Sequence, residues 1–231
     1  MNTFSGFDAT LKFLAELESN NNREWFQANK DRYHNEYLPP IQAFIEAIGL
    51  RQKEISPGLN ADPRVSGGSM MRIYRDVRFS KDKTPYKNHL GITFWEGAGK
   101  KTEAPSYHLY MDKSGCGIYG GQHAFPKEAL SKFRAAIHDN NFGPGFQAAL
   151  DKVAAAADYE IGGEQYVRVP REYDSDHARG EQLRYKGIFV KSQPLTASQL
   201  NSPDLIDVCI QHFRNMAPLH HWLVKMNARS Y

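Results

Sequence analysis

The stretch "SYHLYMDKSGCGIYGG", residues 106–121, contains two short runs of aromatic and aliphatic residues separated by a turn sequence. Such runs are typical of β-strands, and the intervening "DKSG" is made of residues that favour turns. The stretch therefore predicts a β-hairpin. The upstream segments "MMRIYRDVRF" and "GITFW" have a similar composition, so we predict that they add strands to the same, mostly antiparallel sheet.

Helical patterns lie on both sides of these predicted strands. Leu11, Leu14 and Leu17 recur at helical spacing near the N-terminus, and "PKEALSKFRAAIHDN" and "GFQAALDKVAAAAD" follow the hairpin. The closing "SPDLIDVCIQHFRNMAPLHHWLVKMN" predicts one helix broken at Pro218, or two helices. Strands in the middle and helices at both ends predict an α+β fold, with a mostly antiparallel central sheet flanked by N-terminal and C-terminal helices.

The composition is that of a globular protein. The chain has 231 residues, of which 41% are hydrophobic, so a sizeable core can form and intrinsic disorder is not expected. Nothing in the composition marks a linker, so we predict a single domain over residues 1–231. No apolar run approaches the ~18 residues of a membrane helix, and no membrane partner is expected.

The cysteines and the N-terminus bear on location and cofactors. Cys116 and Cys209 are far apart, and the first residues lack the pattern of a signal peptide. We therefore expect a cytoplasmic protein with free thiols. Neither C-x-x-C nor H-E-x-x-H occurs, so no metal site is predicted, and no cofactor is expected. The G-x-G-x-x-G match at residues 115–120 lies inside the predicted hairpin and does not open a helix, as a dinucleotide site requires.

Positive charge is concentrated in "RIYRDVRFSKDKTPYK", residues 72–87, which we call the basic block. It holds six basic and two acidic residues, a net charge of +4, whereas the whole chain carries only +3. Guanidinium groups match phosphate and carboxylate geometry, lysines add mobile charge, and the interleaved aromatic rings offer stacking surfaces. The predicted ligand-binding residues are Arg72, Tyr74, Arg75, Arg78, Lys81, Lys83, Tyr86 and Lys87.

Three functions are compatible with the basic block. The first is binding of an anionic ligand, either a phosphorylated small molecule or nucleic acid. The second is a hydrolase-like enzyme that uses the same arginines to clamp a phosphorylated or carboxylated substrate. The third is an internal ion-pair network without a ligand, because a strand would place Arg75 on the apolar face, where an arginine needs a partner.

The candidate catalytic residues are Asp76, within the basic block, and His177. The neighbouring Asp176 is able to orient an imidazole, and histidine titrates near neutral pH. The alternative is structural, because Ser175 or Asp176 precedes "HARGEQL" in a position that suits a helix N-cap.

Several segments together resemble a known family. "NNNREWF", the basic block, "GGQHAFPKEAL", "SDHARGEQLRYKG" and "APLHHWL" occur in this order, and the resemblance covers nearly the whole chain. They are similar to the bacterial and fungal family known as domain of unknown function 2461. The resemblance implies one α+β domain and supplies no reaction, cofactor or catalytic residue. Ala178 departs from the family, whose members often have proline there, so the turn near His177 is less defined in this chain.

Overall fold

The structure, a computed structural model, describes residues 3–230 and confirms the α+β class. A π-helical turn, Tyr33–Tyr37, precedes α4, and a 3-10 turn, Gln52–Glu54, follows it. No helix in this part of the chain combines the length and apolar character that crossing a membrane requires. The α-helices are α1 (Asp8–Ser19), α2 (Arg23–Ala28), α3 (Lys30–Arg32), α4 (Leu38–Arg51), α5 (Lys127–His138), α6 (Pro144–Ala156), α7 (Gly180–Leu183), α8 (Ala197–Leu200) and α9 (Leu205–Ala228).

The strands form one six-stranded sheet with the order β1-β2-β3-β4-β6-β5. β3 and β4 are neighbours joined by a tight turn, which confirms the hairpin predicted from residues 106–121. β4 pairs with β6 in antiparallel register, with Gly121 opposite Phe189. The strands are β1 (Leu59–Asn60), β2 (Leu90–Glu96), β3 (Ser106–Asp112), β4 (Gly115–Gln122), β5 (Tyr159–Gly162) and β6 (Ile188–Ser192).

The closing helix is not broken at Pro218, so that prediction was wrong. α9 runs without interruption from Leu205 to Ala228 with Pro218 inside it. A proline removes one hydrogen bond of the helical ladder. The residues that follow it, Leu219, His220 and Trp222, are buried, and this packing keeps the helix continuous.

The chain groups into two compact units. Unit 1 comprises residues 1–94, 108–118 and 194–210, and unit 2 comprises residues 95–107, 119–193 and 211–231. Folding of the two units as a single domain over residues 1–231 stays a prediction.

The core of unit 1 is an aromatic cluster around Phe13 of α1. Its ring lies 5.3 to 6.4 Å from four other rings, and it is fully buried. Rings packed at tilted or edge-on angles contribute beyond their buried area. The four neighbours come from the segment that follows α1 and are Trp25, Phe26, Tyr33 and Tyr37.

The core of unit 2 is also aromatic. Trp222 of α9 packs against Phe133 of α5 at 5.9 Å and Phe146 of α6 at 4.9 Å between ring centroids. Further along, Tyr107 of β3 stacks on Phe213 of α9 at 4.4 Å. Helices α5, α6 and α9 are thus held together by rings that sequence periodicity places on their apolar faces.

Candidate functional site

Residues 71–89, which we call the arm, carry the basic block. Two isolated antiparallel bridges close the arm, Met70 with Ile92 at its base and Tyr74 with Tyr86 further out. Apart from the Tyr74 and Tyr86 bridge, residues 71–89 contain no strand. The prediction that "MMRIYRDVRF" is a strand of the sheet was therefore wrong.

Local hydrogen bonds explain why no strand forms. The Asp76 carboxylate accepts from the backbone N–H of Arg78 at 3.3 Å, and the Asp82 carboxylate accepts from that of Thr84 at 2.9 Å. Such bonds compete with a β-ladder. Pro85, the next residue, has no N–H to donate. The arm therefore turns at both aspartates instead of continuing the ladder.

The side chains of residues 72–75 still alternate in exposure as predicted for a strand. Arg72, Tyr74 and Arg78 are exposed, whereas Ile73 between them is buried and Arg75 is half-buried. One face of the arm therefore presents charged and aromatic side chains to solvent.

Arg75 holds the arm in its folded-back shape. Its guanidinium donates to the Asp82 carboxylate at 2.6 Å and to the carbonyl of Thr84 at 3.0 Å, and it also contacts the Thr84 hydroxyl. The N–H and hydroxyl of Thr84, followed by Arg75, lower the pKa of Asp82. The alternative of an internal ion-pair network therefore applies to Arg75, because its charge is paired with Asp82 inside the arm.

Arg78 and Asp76 form a second pair, which lies in solvent. Nε and Nη2 of Arg78 donate to the two carboxylate oxygens at 2.9 and 2.7 Å, and the Arg78 side chain stays 76% exposed. Hydrogen bonding from Arg78 lowers the pKa of Asp76 to about 2. A carboxylate with so low a pKa is a weak base near neutral pH, so its surroundings do not favour a role in proton transfer.

The other four cations of the basic block have no ion pair with any carboxylate of residues 3–230. They are Arg72, Lys81, Lys83 and Lys87. Lys83 donates to the carbonyl of Val77 at 3.0 Å, which fixes its position without neutralising its charge. The arm therefore keeps most of its net positive charge available to a ligand.

Lys87 is half-buried, whereas Lys81 and Lys83 are exposed. Its pKa is lowered, mainly by burial and also by the charge of Arg72. Burial and the charge of Lys87 likewise lower the pKa of His89, whose ring stacks on Tyr110 at 4.7 Å. The lowered pKa favours the neutral form of His89, so the repulsion that an anion would relieve is the one between Lys87 and Arg72.

The aromatic residues of the arm divide into two exposed rings and one anchor. Phe79 is 96% exposed and Tyr74 is 51% exposed. The guanidinium of Arg78 lies over the Phe79 ring, 5.8 Å from its centroid. The Phe79 ring therefore has surface in solvent on which a ligand can stack.

Tyr86 faces the core and anchors the arm. Its ring is buried and stacks on Phe26 at 4.2 Å. The side-chain amide of Asn21 donates to the Tyr86 carbonyl at 2.9 Å and accepts from its N–H at 3.1 Å. The structure thus places this predicted ligand-binding residue in a supporting position. Sequence analysis did not identify this role of Asn21. The run of asparagines in "NNNREWF" was the feature that could have indicated it.

The second catalytic candidate, His177, lies in unit 2, whereas Asp76 lies in unit 1. His177 Nδ1 accepts from the backbone N–H of Arg179 at 3.1 Å, and burial lowers its pKa. No hydrogen bond joins the Asp176 carboxylate to His177 among the described residues, so Asp176 does not orient the ring, and the Asp176 N–H donates to the Asp174 carboxylate at 2.9 Å. The capping alternative is not realised either, since α7 begins after Arg179 without a side-chain cap.

A buried polar group in unit 2 was not foreseen from the sequence. His220 of α9 is fully buried, and its Nε2 lies 3.0 Å from the Glu96 carboxylate. Its ring stacks on Tyr107 at 4.7 Å. Among residues 3–230, neither His220 Nδ1 nor the Tyr107 hydroxyl finds a hydrogen-bond partner.

We expect the free energy of unfolding to fall as the pH drops below 6.5. Burial lowers the pKa of His220 from 6.5, although Glu96 opposes this effect, while His221 reinforces it. Below pH 6.5 the histidine of the unfolded chain binds a proton, whereas His220 in the folded chain stays neutral until a lower pH. The contribution of His220 to the free energy of unfolding is therefore fully present above pH 6.5, and it decreases as the pH falls from 6.5 to the pKa of the folded state. Urea titrations between pH 7.5 and 5, values spanning about a unit either side of the usual histidine pKa, measure this loss.

The matched variant is His220→Gln, which keeps an amide donor for Glu96 but does not titrate. Its stability should depend less on pH, with a difference in slope of up to about 1.4 kcal/mol per pH unit. Equal slopes for the two proteins would show that His220 does not sense the pH.

No group of three or more histidine, cysteine, aspartate or glutamate side chains able to hold a metal ion occurs in residues 3–230.

The family model described as "Conserved hypothetical protein (DUF2461)" matches residues 9–222. No curated protein and no solved structure gives a significant match to the chain. The arm lies entirely within the matched range.

Proposed function

Since the chain belongs to the DUF2461 family, whose description names no activity, we propose a function from the arm itself: it binds single-stranded nucleic acid. One observation carries this proposal. Phe79 and Tyr74 are exposed on the arm together with four cations that form no ion pair with a carboxylate of the described residues. The arm thus combines a charged track with two stacking surfaces.

The chemistry of single strands fits this combination. Each cation that replaces a condensed counterion on a phosphate contributes affinity that depends on salt but not on sequence. Unstacked bases gain about 1–3 kcal/mol each when they stack on an aromatic side chain. Duplex bases are already stacked, so exposed rings favour a single strand over a duplex. The ligand is therefore a short single-stranded segment bound without strong sequence preference.

The catalytic alternative has less support. It needs Arg75, Arg78 and a titratable group to converge in a concave site. Instead Arg75 is tied to Asp82 within the arm, and Arg78 is tied to Asp76 in solvent. The arrangement favours binding over chemistry.

A phosphorylated small molecule is a second candidate, favoured by one observation. Lys87 is half-buried beside Arg72, and the two charges repel each other. A single phosphate would relieve that repulsion without using Phe79. Competition distinguishes the two ligands, because a mononucleotide should displace an oligonucleotide only weakly if the whole arm is used.

The test of the proposal is Phe79→Ala. We expect about a tenfold loss of affinity for a fluorescently labelled oligothymidylate, measured by anisotropy, because one stacked base is worth about 1–3 kcal/mol. The substitution should leave stability unchanged, since the ring is almost entirely in solvent.

Leu50→Ala is the matched control, because Leu50 is 78% exposed and lies outside the arm. It should bind the oligonucleotide as the wild type does. Equal affinities of Phe79→Ala and Leu50→Ala would remove the stacking part of the proposal. No detectable binding by the wild type at low salt would reject it entirely.

A further inference from the structure

Unit 1 contains a groove of about 340 Å³ that follows α1 and lies outside the basic block. One wall of the groove is a face of α1, and the other wall is the segment of residues 195–200. The Leu200 carbonyl accepts from the Phe7 N–H at 3.0 Å, so this segment reaches the N-terminal end of α1. The turn of the β3–β4 hairpin, residues 112–115, closes the groove at its other end, beside Glu18 in the last turn of α1.

The charged side chains of the groove are gathered at this closed end. Among the described residues that line the groove, the charged ones are Glu18, Asp112 and Lys113. Lys113 Nζ donates to Oε1 of Glu18 at 3.0 Å, and the Asn88 amide donates to the same oxygen at 3.1 Å. These hydrogen bonds lower the pKa of Glu18, and the nearby charge of Asp112 opposes this effect. Two carboxylates and one ammonium group leave the closed end with an excess of negative charge.

Both carboxylates keep one oxygen that accepts no hydrogen bond from residues 3–230. The two bonds to Glu18 end on Oε1, which leaves Oε2. The two bonds to Asp112 come from the N–H and the hydroxyl of Ser114 and end on Oδ1, which leaves Oδ2. The last turn of α1 carries no basic residue, so the negative end of the helix dipole adds to this charge. The closed end therefore favours a cation with several hydrogen-bond donors, such as a primary ammonium group.

The rest of the groove is aliphatic. Leu11 is half-buried, and Ala15 and Ala197 are exposed, so these three side chains present open apolar surface to an occupant. Burial of apolar surface against them favours an occupant with an aliphatic chain. Three further leucines of the groove are almost fully buried and close its floor; they are Leu14, Leu195 and Leu200.

We propose that this groove binds a small aliphatic primary amine, with its ammonium group at Glu18 Oε2 and its chain along α1 towards Leu11. The volume is at the lower end of the ~300–1,000 Å³ typical of small-molecule sites. Glu18 and Leu11 are separated by two turns of helix, about 10 Å at ~1.5 Å per residue, which suits a chain of about six carbons. Lys113 already places an ammonium group against this carboxylate, at Oε1, so the geometry accepts such a group.

The experiment titrates n-hexylamine into the full-length protein near neutral pH, where a primary amine is charged. The probes 1-hexanol and hexanoate have the same chain and are neutral and negative. The backbone N–H signals of Ala15, Ser114 and Gly115, followed by NMR, report occupation of the groove. We expect hexylamine to shift these signals and to bind about tenfold more tightly than hexanol, with hexanoate weaker than both, because hydrogen bonds between charged groups are the stronger ones.

Two substitutions at the closed end should change the affinity for hexylamine in opposite directions. Glu18→Gln removes the negative charge and should weaken hexylamine about tenfold while leaving hexanol unchanged. Lys113→Ala removes a positive charge that repels the ligand and should strengthen hexylamine about threefold. This second effect is modest because the Lys113 side chain is 74% exposed.

Lys127→Ala is the charge-matched control for Lys113→Ala, because Lys127 is exposed, belongs to unit 2 and lies outside the groove. It should bind hexylamine as the wild type does. The proposal would be overturned by the absence of a shift at millimolar hexylamine, by equal affinities for hexylamine and hexanol, or by an affinity that Glu18→Gln leaves unchanged. Equal affinities of Lys113→Ala and Lys127→Ala would likewise contradict the place of the ammonium group beside Lys113.

A lysine side chain of another protein carries the same ammonium group on a shorter chain. Nα-acetyl-lysine methylamide is therefore titrated in parallel with hexylamine. We expect it to bind more weakly, because its chain is too short to reach Leu11. Tighter binding of the lysine derivative would assign the groove to a protein partner and overturn its assignment to a free amine.

Discussion

Gly121→Ala should lower the free energy of unfolding by at least ~3 kcal/mol, a large share of the ~5–15 kcal/mol typical of a folded protein. Gly121 has φ +145, a conformation that residues with a Cβ rarely adopt. A Cβ there would lie 2.3 Å from the Ile188 carbonyl oxygen. This oxygen belongs to β6, so the clash is relieved only by separating β4 from β6. Urea denaturation followed by circular dichroism measures the loss.

Two other glycines separate the causes of this loss. Gly97 also has a positive φ, +76, but a Cβ there meets nothing within 4 Å. Gly97→Ala should therefore cost only the backbone conformation, about 1–2 kcal/mol. At Gly99 a Cβ likewise meets nothing within 4 Å, and Gly99→Ala should be nearly neutral. If Gly121→Ala lowers the free energy of unfolding by no more than Gly97→Ala does, the result would contradict the close approach of β4 and β6 at Gly121.

Neutralising the four unpaired cations of the arm should reduce affinity for a single-stranded oligonucleotide by about 600-fold at about 0.1 M salt. Each phosphate contact with a single strand contributes roughly 0.7 to the slope of log K against log salt. Because about 0.1 M salt is one decade below a reference of about 1 M, four contacts contribute about 2.8 decades of affinity at this concentration. The variant keeps the Arg75–Asp82 and Arg78–Asp76 pairs that shape the arm. It therefore removes charge and keeps both ion pairs, while it loses the hydrogen bond from Lys83 to the carbonyl of Val77. Its substitutions are Arg72→Gln, Lys81→Gln, Lys83→Gln and Lys87→Gln.

A control variant removes the same charge elsewhere. It replaces four exposed lysines outside the arm, Lys12, Lys30, Lys53 and Lys127, by glutamine. Loss of net charge alone should weaken binding only severalfold, because exposed charges beyond a Debye length of ~10 Å are largely screened. An equal loss of affinity in both variants would place the binding surface outside the arm.

The fold class could be predicted because its signals are local. The hairpin of β3 and β4 lies within seventeen consecutive residues of strand-forming and turn-forming composition. "MMRIYRDVRF" has the same composition, yet Asp76 and Asp82 bond to nearby N–H groups and divert the backbone. The continuity of α9 through Pro218 also depends on tertiary packing, which a local pattern does not report.

The candidate site could be predicted in composition but not in arrangement. The sequence shows the cations and the rings of the basic block, but not which of them are already used. Tyr86 is held in the core by hydrogen bonding with Asn21, sixty-five positions away in the chain, and by stacking on the Phe26 ring. The ion pair of Arg75 depends on where the arm turns. The contact of His220 with Glu96 joins residues 124 positions apart, so no spacing rule could indicate it.

The most direct measurement of the central claim is the salt dependence of oligonucleotide binding by the wild-type protein. Anisotropy titrations with a labelled oligothymidylate between about 50 and 200 mM salt give the slope of log K against log salt. If the four cations each contact a phosphate, the slope is about −2.8 and the affinity falls roughly fiftyfold over this range. A slope near zero, or no binding at the lowest salt, would contradict the claim that the arm binds single-stranded nucleic acid.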